Sequence, residues 1–466
     1  MDIPKGLSLA DYQLAMLNAQ LIFTAERSRF YREKLAGVDL PLKALADLQR
    51  LPFTTARDIA GRGADMVCGG AGTVDRIVTI HSTGTGGAPK RLFFSGGDLK
   101  RTVDFFAVGM RYMCNAADSV MVFMPTDSEN GVGQLLVKGL VELGAFPVAY
   151  GLISDFGDAA AALRQREYHT VIGLPSQIRK LALLAPDIRP ANVLLSADYV
   201  SDAARETISR IWGCEVFAHY GLTETGYGCA VECPAHDGQH IRCDELLIEI
   251  VEPEWADPTP EETVTAATGL VKPEGGWGEI VITTLRREAM PLIRYRTGDL
   301  GRLIWGRCAC GSELPRLDKV LGRLRELQHD VNIYRMDELL LNRDEILDYR
   351  AVVAGGRLTV TIEAAAAAIA SISATASTAP IAETAEVADT ASIAPAAPTA
   401  AIADTTSIAP ATIADWESVL RGAWLESDIT VRLAGCPPAT AESAKARPPG
   451  WTVKRGVERI GKAPVL

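Results

Sequence analysis

Residues 169–221 read HTVIGLPSQIRKLALLAPDIRPANVLLSADYVSDAARETISRIWGCEVFAHYG. Three short apolar runs, HTVIGLP, NVLLSA and EVFAHYG, alternate with two stretches of helical spacing, SQIRKLALLA and SDAARETISRIWG. Strands separated by helices pair in parallel through right-handed crossovers. The same order occurs just upstream, between Ser119 and Gly151, in SVMVFMP, GVGQLLVKGLVELG and AFPVAYG. The expectation is an α/β sheet, which presents its ligands beyond the carboxyl ends of the strands.

Outward from this core the character changes. From Leu9 to Phe53 the apolar residues fall at three- and four-residue spacing, predicting helix. After Ile241 the segments DELLIEIVEP, WGEIVITTL and LIRYRTGDLGRLI predict strands or short hairpins. Glu363–Ala414 is dominated by Ala, Thr, Ser, Ile and Pro, with the imperfect repeat DTASIAP and DTTSIAP. So few large apolar side chains cannot offset chain entropy, and the stretch reads as a disordered or loosely structured insertion. SDITVRLAG beyond it predicts a further strand.

With 466 residues, the chain is too long for one ordinary core, and 48% hydrophobic residues permit several. A net charge of −11 argues against nucleic acid or an anionic membrane surface as the main partner. The opening MDIPKGLSLADYQLAMLNAQ does not read as a signal peptide, and no apolar run is long enough to predict a membrane span. Nine cysteines, an odd number dispersed over a long chain, do not suggest a secreted disulfide framework, and a cytoplasmic location is expected.

Three further stretches suggest chemistry. TIHSTGTGGAPK at Thr79–Lys90 sits between the strand-like runs RIVTI and RLFFS, and is too long for a tight hairpin. Its glycines can turn backbone N–H groups toward an anion while hydroxyls and Lys90 add donors and charge; the same composition also suits a plain surface loop. HYGLTETGYG at His219–Gly228 follows a strand and carries Glu224, a hard oxygen ligand suited to Mg²⁺ or a solvated loop carboxylate. RYRTGDLGRL at Arg294–Leu303 holds Asp299, able to accept two ribose hydroxyls or to form an ordinary Asx turn. LGRLRE follows with Arg323, and Lys462 stands near the end in RIGKAPVL.

Taken in order, the hydroxyl- and glycine-rich loop, YGxTE, YRTGDL, GR and a late GK resemble the acyl-adenylate-forming superfamily. Within it the chain is similar to the phenylacetate–coenzyme A ligase group, through SRFYREKL, LADLQRLPFTTARDI, GQHIRCDELLIEIVEP and MPLIRYRTGDL. The resemblance implies a large multi-sheet α/β N-terminal domain over 1–321, a hinge at 322–326 and a small mobile α+β domain over 327–466, interrupted by 363–414. It implies a phosphate loop comprising Ser82, Thr83, Gly84, Thr85, Gly86, Gly87 and Lys90, with Ala197 and Asp198 in the adenine-contacting stretch. Tyr220 and Gly221 would lie at the adenine, Thr223 at the α-phosphate, Glu224 on Mg²⁺, and Asp299 with Arg323 at the ribose. Lys462 would reach the reacting phosphate during adenylation. The implied reaction joins a carboxylic acid, favoured as aryl or arylacetic, to ATP and then to coenzyme A; a carrier protein or an amine as acyl acceptor, or a non-catalytic nucleotide-binding scaffold, are the alternatives. A homodimer is compatible with this reading. Residues near Met124–Gly131 and Gly221–Gly228 are expected to line the acid pocket.

The cysteines suggest a second constellation. Cys308 and Cys310 form a CxC, and Cys233 and His240 bracket PAHDGQ, so three thiolates and one imidazole match a closed structural zinc site, as in a similar pattern of the same group. Cys229, Cys243 and His236 compete for the fourth place, and buried cysteines are often simply small core residues. The chain departs from the group's pattern at Ala88, where the phosphate loop usually has lysine, and at LRELQHDVN, where Arg325 stands at the hinge and Asp330 replaces a glycine lining the pantetheine channel.

Overall fold

The computed structural model of the protein describes residues 6–80, 89–254, 276–329, 331–354, 357–364, 420, 428–434 and 457–460. The chain divides into two compact units, 1–330 and 331–466.

In the first unit the expected alternation forms strands β3 (Ser119–Phe123), β4 (Phe146–Ala149), β5 (Thr170–Gly173), β6 (Asn192–Leu195) and β7 (Glu215–Tyr220). They are joined in turn by helices α5 (Val132–Leu143), α6 (Phe156–Arg164), α7 (Pro175–Leu184) and α8 (Asp202–Trp212). These strands are parallel and lie in the order β4-β3-β5-β6-β7. The chain leaves β3 toward β4 and returns to β5 on the other side of β3, so the winding reverses between β3 and β5. A crevice at the carboxyl ends of the strands opens where winding reverses. Both faces of the sheet are covered: Val120 and Val122 of β3 pack into one apolar cluster, Met121 and Phe123 into another with Trp212 of α8. Burial on both faces is why β3, β5 and β6 read as continuous apolar runs, while β4 at the sheet edge is half-exposed.

The sheet extends antiparallel from β7 through β8 (Ala230–Glu232), β9 (Gln239–Ile241), β14 (Arg316–Leu317) and β13 (Leu303–Ile304). A separate antiparallel sheet holds β10 (Leu246–Val251), β11 (Gly278–Thr284), β12 (Tyr295–Gly301) and β15 (Gly322–Arg323). An antiparallel pair of β1 (Arg76–Ile80) and β2 (Lys90–Phe94) flanks the glycine- and hydroxyl-rich stretch and leads into α4 (Gly96–Met110). A reciprocal capping box starts α4: Asp98 N donates to Ser95 Oγ and Ser95 N to Asp98 Oδ2, both at 3.0 Å.

The N-terminal stretch is less continuous than its periodicity predicts. It forms α1 (Leu9–Arg27) and α2 (Arg29–Lys34), followed by a 3₁₀ turn over Leu45–Arg50. Ser28 breaks the first helix because it is extended and caps the second, accepting from Tyr31 N at 3.3 Å.

In the second unit, α10 (Ile333–Leu340; a short α9, Leu324–Leu327, belongs to the first unit) accompanies a sheet ordered β18-β17-β16-β19. Its strands are β16 (Ile346–Ala354), β17 (Arg357–Ala364), β18 (Asp428–Ala434) and β19 (Val457–Ile460). β17 continues two residues into the stretch read as low-complexity, because Glu363 and Ala364 pair with Asp348 and Ile346 of β16. Residues 365–414 of that stretch lie outside the described residues, as do Ser82–Gly87, Asp330 and Lys462.

Candidate active site

Six side chains drawn from positions 90 to 323 form two hydrogen-bonded triads near the carboxyl end of β7, coupled to one another through their charges. Lys90, the first residue of β2, donates from Nζ to Glu224 Oε1, and Tyr295 OH donates to the same oxygen at 3.0 Å. Tyr220, the last residue of β7, donates to Asp299 Oδ2 at 2.8 Å, and Arg323 Nε lies 3.3 Å from Asp299 Oδ1. Asp299 and Arg323 face one another across the β12–β15 pair, while Tyr295 and Asp299 share β12. Two carboxylates expected at opposite ends of a nucleotide are thus linked through one strand.

Local structure explains why these residue types stand together. Glu224 sits in a single 3₁₀ turn, Thr223–Thr225, held by Thr225 Oγ1, which accepts from Leu222 N at 3.1 Å and donates to Leu222 O at 2.8 Å. Gly221 permits the chain to fold onto itself: a Cβ there would lie 2.1 Å from Tyr227 O and 2.7 Å from His219 Cε1. The start of β12 is clamped by the N-terminal LPFTT stretch. Thr54 N donates to Arg294 O and Arg296 N to Thr54 O, both at 2.9 Å, and the Phe53 ring lies under Arg294, 4.0 Å from guanidinium carbon to centroid. Ala197, at the carboxyl end of β6, has φ +68°, a left-handed backbone uncommon outside glycine, and Asp198 follows it.

Burial pushes the Glu224 carboxyl up, but the Lys90 ammonium outweighs it, with Arg323 adding in the same direction, and the carboxyl ends below its usual range. Burial, reinforced by the Asp299 and Glu224 charges respectively, holds the phenols of Tyr220 and Tyr295 well above the usual range, so both remain donors. The site is therefore an ionised carboxylate with a counter-ammonium beside a second carboxylate with a guanidinium. That arrangement can hold a hard cation, a phosphate chain and a vicinal diol.

Beside the network is a small apolar cavity of about 30 Å³, at the carboxyl ends of β3, β5, β6 and β7. Phe105, Phe106 and Met110 of α4 and Leu136 of α5 form one side, and Met124, Ile172 and Leu194 another. Its polar lining is Ser196 and His219, chain neighbours of Ala197 and Tyr220. Of the stretches expected to line an acid pocket, Met124 lines this cavity and no residue of Gly221–Gly228 does; His219, outside both stretches, is part of the wall.

The sequence reading missed Tyr295 and His219. Tyr295 stands four residues before Asp299 in the quoted motif, and strand spacing from Asp299 was the available signal. His219 precedes Tyr220, and alternation along β7 sends it to the opposite face.

The thiol and imidazole cluster also assembles. Ligand atoms of Cys233, His240, Cys308 and Cys310 all lie within 4.8 Å of one another. Cys233 and Cys308 Sγ are 3.7 Å apart, and Cys310 Sγ is 3.2 Å from His240 Nε2. Two thiolates about 2.3 Å from a tetrahedral zinc stand about 3.8 Å apart, so the spacing fits. Burial, then the Arg316 charge, disfavours protonation of His240, which suits a neutral imidazole ligand. His240 Nδ1 is buried with no hydrogen-bond partner among the described residues. Cys229 and Cys243 instead pack with Ile241 and Leu246 in an apolar cluster, and His236 Nδ1 lies 3.4 Å from Glu232.

No family model matches the chain. Among curated proteins, the phenylacetate–coenzyme A ligase of Thermus thermophilus is 30% identical over 359 residues, 72% of this chain and 76% of the relative. The phenylacetate–coenzyme A ligase of Pseudomonas putida is 28% identical over 334 residues, 68% of this chain and 71% of that protein. Among solved structures, 2-hydroxyisobutyryl-CoA ligase in the postadenylation state with 2-HIB-AMP aligns at TM-score 0.69 and 18% identity, over 93% of this chain and 88% of that one. At that identity the likeness is one of fold. Among the described residues no helix is long and apolar enough to cross a membrane.

Proposed function

The chain belongs to the phenylacetate–coenzyme A ligase family of AMP-forming acid–thiol ligases, and from that premise we propose how its own residues activate an acid. The observation that carries the reading is the meeting of two triads, Lys90–Glu224–Tyr295 and Tyr220–Asp299–Arg323, which share strand β12 and influence one another's charges.

ATP binds with its ribose hydroxyls on Asp299, which Arg323 and Tyr220 hold in place, and with its adenine against Tyr220 and the Ala197–Asp198 stretch. Lys90 leaves Glu224 for the β- and γ-phosphates, joined by the Ser82–Gly87 loop, while Thr223 contacts the α-phosphate. Glu224, freed and ionised, offers the hard oxygen that Mg²⁺ prefers, an ion that neutralises phosphate charge when bound. The substrate carboxylate is itself the nucleophile: its oxygen attacks the α-phosphorus, pyrophosphate leaves, and no general base is needed. Lys462, assigned by resemblance, stabilises the charge that builds between carboxylate and phosphate. The thiolate of coenzyme A then displaces AMP from the acyl-adenylate. The apolar cavity receives the body of the acid; at about 30 Å³ it has room for little more than a water as it stands, so even a single ring enters only by displacing the pliable Met110 and Met124, which disfavours a long chain. Cys233, His240, Cys308 and Cys310 hold a structural zinc that ties the β8–β9 region to the loop ahead of β14, away from the reacting atoms. Nine cysteines, an odd number dispersed over a long chain, support placement in a reducing cytoplasm.

Acid-dependent ATP–pyrophosphate exchange, followed by product analysis with coenzyme A, tests the reading. Exchange that Lys462→Ala abolishes, and acyl–coenzyme A as product, are expected. Nucleotide binding without exchange for any acid would refute it, and exchange without acyl–coenzyme A would move the acyl acceptor to a carrier or an amine.

A further inference from the structure

His219 is set apart from the rest of the cavity lining. Its surroundings are the rings of Phe105 and Phe106, with centroids 6.0 and 6.2 Å away, and the aliphatic side chains already named. Nδ1 is engaged with Ser196 Oγ at 2.8 Å. Nε2 is shielded from solvent and has no hydrogen-bond partner among the described residues. Burial pushes the imidazole down to about 4, so it is neutral at physiological pH. A neutral ring with one nitrogen satisfied and the other without a partner, at the wall of an apolar cavity, is a costly arrangement unless something completes it.

We propose that His219 is a specificity-determining residue, and that the acid activated here carries a hydroxyl group on its apolar body that hydrogen-bonds to His219 Nε2. This rests on the reading of the cavity as the acid pocket. The hydroxyl follows from the Ser196 contact. When Ser196 Oγ–H donates to Nδ1, Nε2 carries the proton and donates into the pocket; when Nδ1–H donates to Ser196, Nε2 accepts. A hydroxyl both donates and accepts, so it satisfies the ring in either tautomer, whereas an ether or a ketone satisfies only one. A charged substituent is disfavoured by the apolar lining.

The test compares kcat/KM in ATP–pyrophosphate exchange for phenylacetic acid and its three ring-monohydroxylated derivatives. The wild-type enzyme is expected to prefer one hydroxylated acid over the parent by about 10- to 100-fold, the discrimination expected when a buried polar group is left unpaired. His219→Leu is expected to bring that ratio near one, His219→Gln to restore part of it, and Ser196→Ala, which frees the tautomer while leaving the ring, to lower it several-fold. A wild-type ratio at or below one for all three isomers refutes the proposal without recourse to any variant, as does a ratio that His219→Leu leaves intact in protein of native melting temperature. Absence of exchange with every acid tried would instead refute the ligase reading, and this proposal with it.

Discussion

Replacing Lys90 by Met and Glu224 by Gln, singly and together, probes the most buried charge pair of the site. Their side chains are 16% and 7% exposed, so neither charge is well solvated once its partner is gone. Breaking a pair so buried by removing one member costs about 3–5 kcal/mol, because the remaining charge is stranded. Taking about 3 kcal/mol for each single variant, additivity would put the double near 6. The double variant strands no charge and keeps an amide oxygen as an acceptor for Tyr295, so its cost should stay at about 3 kcal/mol, a coupling of about 3 kcal/mol. Urea unfolding of nucleotide-free protein, followed by circular dichroism, measures all four corners. The pH dependence supplies an independent check. The native Glu224 carboxyl lies below its unfolded value of about 4.3, so its stabilisation is complete above that pH and is lost as pH falls through the lower native value. The stability gap between wild type and Glu224→Gln should therefore narrow on acidification below about pH 4.3. Additive single-variant costs, or a gap that widens with acid, would refute the pair as described.

Gly221→Ala should abolish adenylation, with a loss of at least about 100-fold in kcat/KM, because a Cβ 2.1 Å from Tyr227 O must displace the turn that holds Tyr220 and Glu224; retention of activity would show that the turn yields. Metal analysis of protein purified without chelator should find about one zinc per chain. Cys308→Ser should lower that content and the melting temperature together, and absence of stoichiometric metal in the wild type would remove the site.

The α/β core was legible because parallel strands buried on both faces leave apolar runs, and amphipathic crossover helices leave a different period between them. β3, β5 and β6 and the crossover helices follow that pattern. The carboxylates Glu224 and Asp299 and the guanidinium of Arg323 were legible only as an ordered set of motifs, each turn being ambiguous by itself; the structure adds that Gly221 fits only without a Cβ and that β15 sets Arg323 opposite Asp299. What periodicity could not specify was where helices break without proline. Ser28 interrupts a helical pattern only because its hydroxyl caps the next helix.

Local order along the chain therefore determined which strands run parallel and which turns carry carboxylates, but left open which thiols and imidazoles gather, a choice that tertiary structure made for Cys233, His240, Cys308 and Cys310. The pairing of Lys90 with Glu224, the role of Tyr295, and the unspent nitrogen of His219 were decided by tertiary structure alone. Each depends on distances between segments remote in sequence, and a linear pattern encodes residue type and period but not which charge ends beside which.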